Sequence, residues 1–380
     1  MLDKRAFTDD AVLADEARRL FGAGFVFAGM TDELANERDF VTLDYPGAAI
    51  VVQNFKGQLR AFQNVCAHQF ARLQDEPRGN RLLMCRYHGW NYDASGFPFG
   101  IPRRSEYKLG DVDRACLSLK PFRVETCGRF VFVCAPDCAF GLRDFLGGFW
   151  QTLEELSGHL GREHRFAELP HRANWKLLVE NVLDYYHCAT LHRETFVADG
   201  YCVTGPQDVT VDGPHSSFAL PRTPSADEDK EALRRRFLSH LAKRSFQHDS
   251  YLHLFVFPNL FVSSTEGRAF FVGQALPVSA GETNLRARYY EPAGLADRHR
   301  SRQEMVNRQF SDTGLAIIAD EDKPMLESIQ RNMAIADGPG FLGEGETRIR
   351  AWRGSYERAM THGLEAALPP APLSDLEAVA

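Results

Sequence analysis

Two short stretches of this 380-residue chain bring together the residue types that hold metals. The first is Cys66-Ala-His68, followed after sixteen residues by Cys85-Arg-Tyr-His88. Thiolates and neutral imidazoles bind zinc and iron. A zinc finger presents its two cysteines together and its two histidines on a helix. Here each half supplies one Cys and one His, a division that suits a [2Fe–2S] cluster with cysteines on one iron and histidines on the other. Imidazole is neutral where thiolate is negative, so such a cluster accepts an electron more readily than an all-cysteine one. Gly89 directly follows a ligand, where backbone is expected to pass close to the cluster, and Trp90 is placed to shield it from water. A structural zinc site is the competing reading.

The second stretch is Asp184-Tyr-Tyr-His187-Cys-Ala-Thr-Leu-His192. On a helix Asp184 and His187 would share a face. His192 lies five residues beyond His187, so the helix is expected to loosen there and let His192 turn back to a common metal. Two histidines and one carboxylate make the facial triad of non-haem Fe(II) oxygenases, which leaves positions open for O₂. The carboxylate stays open at this level. Asp184 qualifies by proximity, and so does a distant acid in the run Asp320-Glu321-Asp322.

These residues need a scaffold. Residues 1–40 read as a lead-in with a short helix at 11–22. Residues 41–140 carry short β-type runs between Gly, Pro and Asp turns, with a hairpin at Lys56-Gly57. Residues 141–368 mix a helix at 143–159, a strand at 164–170, a helix from 175, strands between 251 and 292 and helical periodicity over 297–334. A polar stretch at 221–250 interrupts them as a candidate lid, and residues 369–380 read as a flexible tail. The fold class is α+β. A net charge of −7 argues against a nucleic-acid footprint. No apolar run approaches the ~20 residues of a membrane span. The acidic N-terminus lacks a signal-peptide core, so a cytoplasmic protein is expected. The six cysteines outside the first motif fit buried thiols in a reducing compartment.

With Cys66, His68, Cys85 and His88 meeting CxH…CxxH, and Asp184, His187 and His192 meeting DxxHxxxxH, the sequence resembles the alpha (oxygenase) subunits of Rieske non-haem iron ring-hydroxylating oxygenases. The resemblance implies an all-β Rieske [2Fe–2S] domain followed by a helix-grip (START-like) catalytic domain with an antiparallel sheet and long helices. It implies a mononuclear Fe(II) on His187, His192 and a C-terminal Asp. Matching EDKPMLESIQ to the family stretch puts that ligand at Asp322, with Asp320 as runner-up. It makes Asp184 a bridge between His187 and the His88 of a neighbouring subunit. It also implies a homotrimer, with or without a beta subunit, fed by a ferredoxin or an NAD(P)H-dependent flavin reductase. One departure is that Gln69 and Phe70 stand where the family usually has Arg and Gly. Asp184 inclines the reading towards hydroxylation of a small aromatic substrate. Of the phenylalanines in the pocket strands, Phe218, Phe255, Phe257, Phe261, Phe270 and Phe271, most read as core and some as the lining of an apolar cavity suited to an aromatic ring. N-dealkylation of an alkylamine or quaternary ammonium compound is the alternative, and a zinc-stabilised binding protein the reading outside enzymes. Arg222, Arg286 and Arg288 are candidates to meet a substrate carboxylate.

Overall fold

The computed structural model describes residues 3–368 apart from 108, 110, 111, 113, 206–207, 242–245 and 339. The tail expected over 369–380 lies outside the described residues. Contacts divide the chain into two units, Glu16–Phe145 and Met1–Asp15 with Leu146–Ala380. Among the described residues no helix is long and apolar enough to cross a membrane.

The Glu16–Phe145 unit is built on strands β1 (Val26–Met30), β2 (Asp39–Tyr45), β3 (Ala48–Phe55), β4 (Gln58–Gln63), β5 (Arg78–Asn80), β6 (Asn91–Tyr92), β7 (Pro98–Gly100), β8 (Pro121–Cys127) and β9 (Phe130–Cys134). Seven of the described strands form one antiparallel sheet in the order β1-β9-β8-β4-β3-β2-β5, and β6 pairs with β7. The expected β3–β4 hairpin is present. Lys56 and Gly57 both adopt positive φ, as a two-residue turn that matches strand twist requires. The two metal-type loops emerge from this frame with the same construction. Isolated bridges Val65↔Arg72 and Met84↔Asn91 close their bases. In each, the cysteine N–H donates to a carbonyl five residues on (Ala71 O or Trp90 O, both 2.8 Å), and the cysteine carbonyl accepts from the residue four on. That fourth residue must turn left-handed. It is Gly89 (φ 73°) in the second loop and Phe70 (φ 61°) in the first.

The other unit carries β10 (Leu160–His171), β11 (Asp208–Asp212), β12 (His215–Pro221), β13 (Ser250–Val256), β14 (Leu260–Thr265), β15 (Ala269–Ser279) and β16 (Glu282–Pro292). They make an antiparallel sheet in the order β10-β16-β15-β14-β13-β12-β11. Leu254, Val256, Val262, Val272 and Ala287 are fully buried in it. The helix Trp175–Leu183 starts where the Asn174 side chain accepts the Lys176 N–H, and buries Trp175, Leu177, Leu178 and Val179. A helix at Thr347–His362 packs Trp352 edge-on against Trp175, and Arg353 grips Glu180 through two hydrogen bonds of 2.8 and 2.7 Å. The helical stretch expected over 297–334 is not continuous. It runs as Arg300–Ala316, a wide π-type turn Ile317–Asp322, and Lys323–Met333. Hydrophobic periodicity does not register a single inserted residue, and π-turns of this kind concentrate at functional sites.

Candidate metal centres

In the first unit the paired loops aim four donors inward. Cys66 and Cys85 are buried at their tips. The His68 and His88 rings lie 4.6 Å apart, and His68 stacks flat on Trp90 at 5.1 Å. The Nδ1 atoms of both histidines are buried and make no hydrogen bond. Two orphaned imidazole nitrogens in one buried spot are costly unless something binds them. With the two sulfurs they form a Cys₂His₂ donor set that fits a [2Fe–2S] cluster. Burial pushes the Cys66 thiol up, so a thiolate there calls for a cation beside it. Tyr92 Oη accepts the Ala67 N–H at 3.0 Å and lies 3.2 Å from Cys66 Sγ, which leaves its own proton to donate to sulfur. Gly89 is needed for its left-handed backbone more than for clearance at the cluster, since a Cβ there would meet Pro102 at 3.1 Å.

Phe70 takes the same left-handed turn with a side chain, and 80% of its surface is exposed. An L-residue pays about 1–2 kcal/mol for that conformation. Phe70→Gly is therefore expected to stabilise the fold by up to roughly 1 kcal/mol after the entropy of glycine is deducted, and so to raise its melting midpoint. A thermal scan showing a lower midpoint would refute that account.

The second constellation forms differently from the helical face expected of it. The Trp175 helix ends at Leu183, and Asp184 is its C-cap. Asp184 Oδ1 accepts the Tyr186 N–H at 2.7 Å, and the chain turns so that His187 Nδ1 donates to Asp184 Oδ2 at 3.1 Å. The pair meets through this tight turn rather than through a shared helix face. A short helix Cys188–Leu191 then returns His192, whose Nε2 lies 3.1 Å from His187 Nε2. Asp322, at the end of the π-turn, brings Oδ1 to 3.3 Å from His192 Nε2 and 3.7 Å from His187 Nε2. That oxygen is buried and lacks hydrogen-bond geometry to any donor. Asp320 is exposed. His192 Nδ1 donates to Glu321 Oε2 at 2.5 Å, and Thr195 Oγ1 donates to the same oxygen at 3.1 Å. Each imidazole thus has its proton fixed on Nδ1 by a carboxylate, and its Nε2 lone pair faces the common point. Burial pulls the His192 imidazole down, but Asp322 and Glu321 outweigh it and its pKa is raised. The site asks for positive charge, which a metal ion would supply. Cys188 also lies within 4.8 Å of the imidazole nitrogens, but a hydrogen bond with Cys202 and burial push its thiol far up. A protonated thiol is a poor ligand, and Asp322 is the better third donor.

Two side chains set this geometry from outside. Glu327 Oε1 accepts the Arg172 N–H at 3.0 Å, and Gln330 Oε1 accepts the Asn174 N–H at 2.9 Å. They tie the Lys323 helix, which follows Asp322, to the chain entering the Trp175 helix, which leads to His187. Of the arginines considered for a substrate acid, Arg222 is held twice by Glu231 and Arg286 by Glu168 at 2.9 Å. Arg288 is buried over the Phe166 ring. Phe255, Phe257, Phe261 and Phe270 fill the core. Phe218 instead joins Phe196, Tyr201 and Tyr251 in a ring cluster that reaches His192 through Phe196 at 5.7 Å. Sequence reasoning left Glu321, Tyr92 and Arg348 unassigned, and nothing in TRIRAWRG separates the buried Arg348 from the exposed Arg350.

Comparison with known proteins adds the following. Residues 159–362 match the family model for the ring hydroxylating alpha subunit (catalytic domain), and residues 24–122 match that for the Rieske [2Fe–2S] domain. The chain is 32% identical over 191 residues to the glycine betaine monooxygenase oxygenase subunit of Chromohalobacter salexigens, covering 50% of this chain and 42% of that protein. It is 32% identical over 193 residues to the 2-aminobenzenesulfonate 2,3-dioxygenase subunit alpha of an Alcaligenes species, covering 49% and 48%. The matches thus span under half the length of these two relatives. A crystal structure of a quaternary ammonium Rieske monooxygenase superposes with a TM-score of 0.75 at 20% identity, covering 94% of this chain and 95% of that one.

Proposed function

Since the chain belongs to the Rieske-containing family of ring-hydroxylating oxygenase alpha subunits, we propose that it is a terminal oxygenase performing O₂-dependent oxidation of a small alkylated or quaternary ammonium compound. The observation that carries the oxygenase reading is the convergence of His187 Nε2, His192 Nε2 and the unsatisfied Asp322 Oδ1 on one point. When bound, the cluster delivers single electrons and the mononuclear iron activates O₂. Cys66, Cys85, His68 and His88 would hold the cluster, and Trp90 keeps water from it. His187, His192 and Asp322 would hold the iron. Asp184 and Glu321 fix the proton of each imidazole on Nδ1. Across a subunit boundary Asp184 would also meet the neighbour's His88, which requires a closed head-to-tail ring, read here as a trimer. A ferredoxin or a flavin reductase would supply the electrons. The sheet and its long helices are read as a helix-grip arrangement.

For the substrate, the alkylammonium alternative is preferred over the aromatic ring expected from sequence. The name of the glycine betaine relative and the quaternary ammonium monooxygenase of like fold support it. So does the Phe196 ring beside His192, with Tyr201 and Tyr251 packed against it, since aromatic faces attract a cation. The test is an anaerobic EPR spectrum before and after dithionite, with iron and zinc counted, followed by substrate-dependent O₂ uptake with alkylammonium compounds and arenes. A rhombic reduced-cluster signal and uptake stimulated by alkylammonium compounds are expected. A colourless zinc protein would sink the oxygenase reading, and stimulation by arenes alone would restore the aromatic one.

Tyr92→Phe removes a hydrogen bond that favours the reduced, more negative cluster. Its reduction potential should fall by about 40–60 mV, the equivalent of a ~1–1.5 kcal/mol hydrogen bond in a one-electron couple. A redox titration of the EPR signal reads this directly, and an unchanged potential would mean that the hydroxyl does not donate to Cys66.

A further inference from the structure

The helix Thr347–His362 places Arg348 inside the catalytic unit with only 3% of its surface exposed. Its Nε donates to Ser216 Oγ at 3.0 Å, and Nη2 donates to Ser216 O at 3.3 Å and to His253 Nδ1 at 3.1 Å. Nη1 is buried and has no partner. Among the described residues no carboxylate forms an ion pair with this guanidinium, and the Tyr251 phenol, which burial keeps protonated, supplies no counter-charge. Burial lowers it to about 9, so it remains a cation at neutral pH. By contrast, Arg222, Arg286 and Arg353 each have a carboxylate.

A second unsatisfied donor stands beside it. Burial and the arginine hold the His253 imidazole neutral. Because Nδ1 accepts from Arg348, the ring proton sits on Nε2, which is also buried and unpartnered. The ring is sandwiched between Phe218 (5.4 Å, 9°) and Phe261 (6.3 Å, 14°), so only its edge can make polar contacts. A buried unpaired cation and a buried unpaired N–H are each costly, and a carboxylate or sulfonate answers both.

The location ties this pair to the iron site. From His192 the rings follow one another as Phe196 (5.7 Å), Tyr251 (5.3 Å) and Phe218 (6.3 Å), and the Arg348 guanidinium lies 4.5 Å over Phe218. We infer that Arg348, assisted by His253 Nε2, is the anchor for an anionic group of the substrate, a carboxylate or sulfonate, whose far end is presented to the His187/His192/Asp322 site along the aromatic faces. Arg348 is then a specificity-determining residue, and the substrate is an organic acid. This rests on the terminal oxygenase reading and adds the acid to it.

The test is anaerobic titration calorimetry of the iron-loaded protein with matched probe pairs. Trimethylammonio-carboxylates are compared with the corresponding alcohols, and aryl carboxylates with the corresponding amides. In at least one pair the acid should bind ~30-fold or more tightly than its uncharged counterpart. Arg348→Met should abolish that preference and leave the counterpart's affinity unchanged. Arg348→Lys, which keeps charge but loses the fork, should retain only part of it. Melting and iron content check each variant, and the wild-type comparison stands even if Arg348→Met does not fold. Equal binding of acid and counterpart in both pairs, or a preference that survives Arg348→Met, overturns the assignment. An Arg348-dependent preference confined to the aryl acids supports Arg348 and rejects the alkylammonium reading. Alkylammonium turnover with no acid preference does the reverse.

Discussion

Asp322→Ala should purify with its cluster intact and its mononuclear iron gone. Metal analysis is expected to fall from about three irons per chain to about two, with the reduced-cluster EPR signal unaltered. Product formation should drop by well over ~100-fold, because even partners outside the ligand sphere cost 10–100-fold. Asp322 Oδ1 is the carboxylate oxygen facing both imidazole Nε2 atoms, and it is buried without a donor. Without it, two neutral imidazoles remain to hold a dication. Asp320→Ala is the control, since Asp320 is exposed and should behave as wild type. An Asp322→Ala protein that kept its third iron would refute the ligand role of Asp322.

Asp184→Asn should lose about 100-fold or more in turnover, with the cluster still loaded and the mononuclear iron held more weakly. One Asp184 oxygen is committed to the Tyr186 N–H and the other to His187 Nδ1. In asparagine, if the carbonyl keeps the Tyr186 bond, the NH₂ group faces the His187 N–H. Donor then meets donor, and His187 is driven to move its proton to Nε2, the atom the iron requires free. Asp184→Glu keeps the acceptor and should recover part of the rate. Stopped-flow reoxidation of the reduced cluster separates a transfer defect from a binding defect. Activity of Asp184→Asn within about threefold of wild type would rule out both the tautomer role and the bridging role.

The residues proposed to hold the metals were legible as a pattern because ligand type and spacing are constrained by a metal. Cys66, His68, Cys85 and His88 come from two loops of one construction, and each loop is short enough to read as a motif. The strands and the β3–β4 hairpin were legible for the same local reason. What sequence could not give is geometry that depends on one residue of backbone. The helix break at Asp184 is set by an Asx turn, which periodicity over 175–192 does not reveal. The choice among Asp320, Glu321 and Asp322 depends on the π-turn, which turns Asp322 towards the two imidazole Nε2 atoms, Glu321 to His192 Nδ1 and Asp320 to solvent. Arg348 was invisible because burial of a guanidinium leaves no mark in composition. The substrate class was not legible for a related reason. Most of the phenylalanines in the presumed pocket strands are structural core, as expected, and the rings nearest His192 belong to the segment 196–201 and to β13.

The wide turn at Ile317–Asp322 also bears on how such a protein can change over generations. A π-turn contains one residue more than the α-helix around it. Loss of a single codon there, at Ala319 for instance, would let Arg300–Met333 wind as one helix. Glu327 and Gln330 would still fasten the far half to Arg172 and Asn174, so Asp320, Glu321 and Asp322 would keep their place and the Arg300–Ala316 half would turn by about 100° relative to them. The change would then fall on how Arg300–Ala316 packs against β15 and β16 rather than on the proposed iron ligands, so that helix face could vary while the metal site stood still.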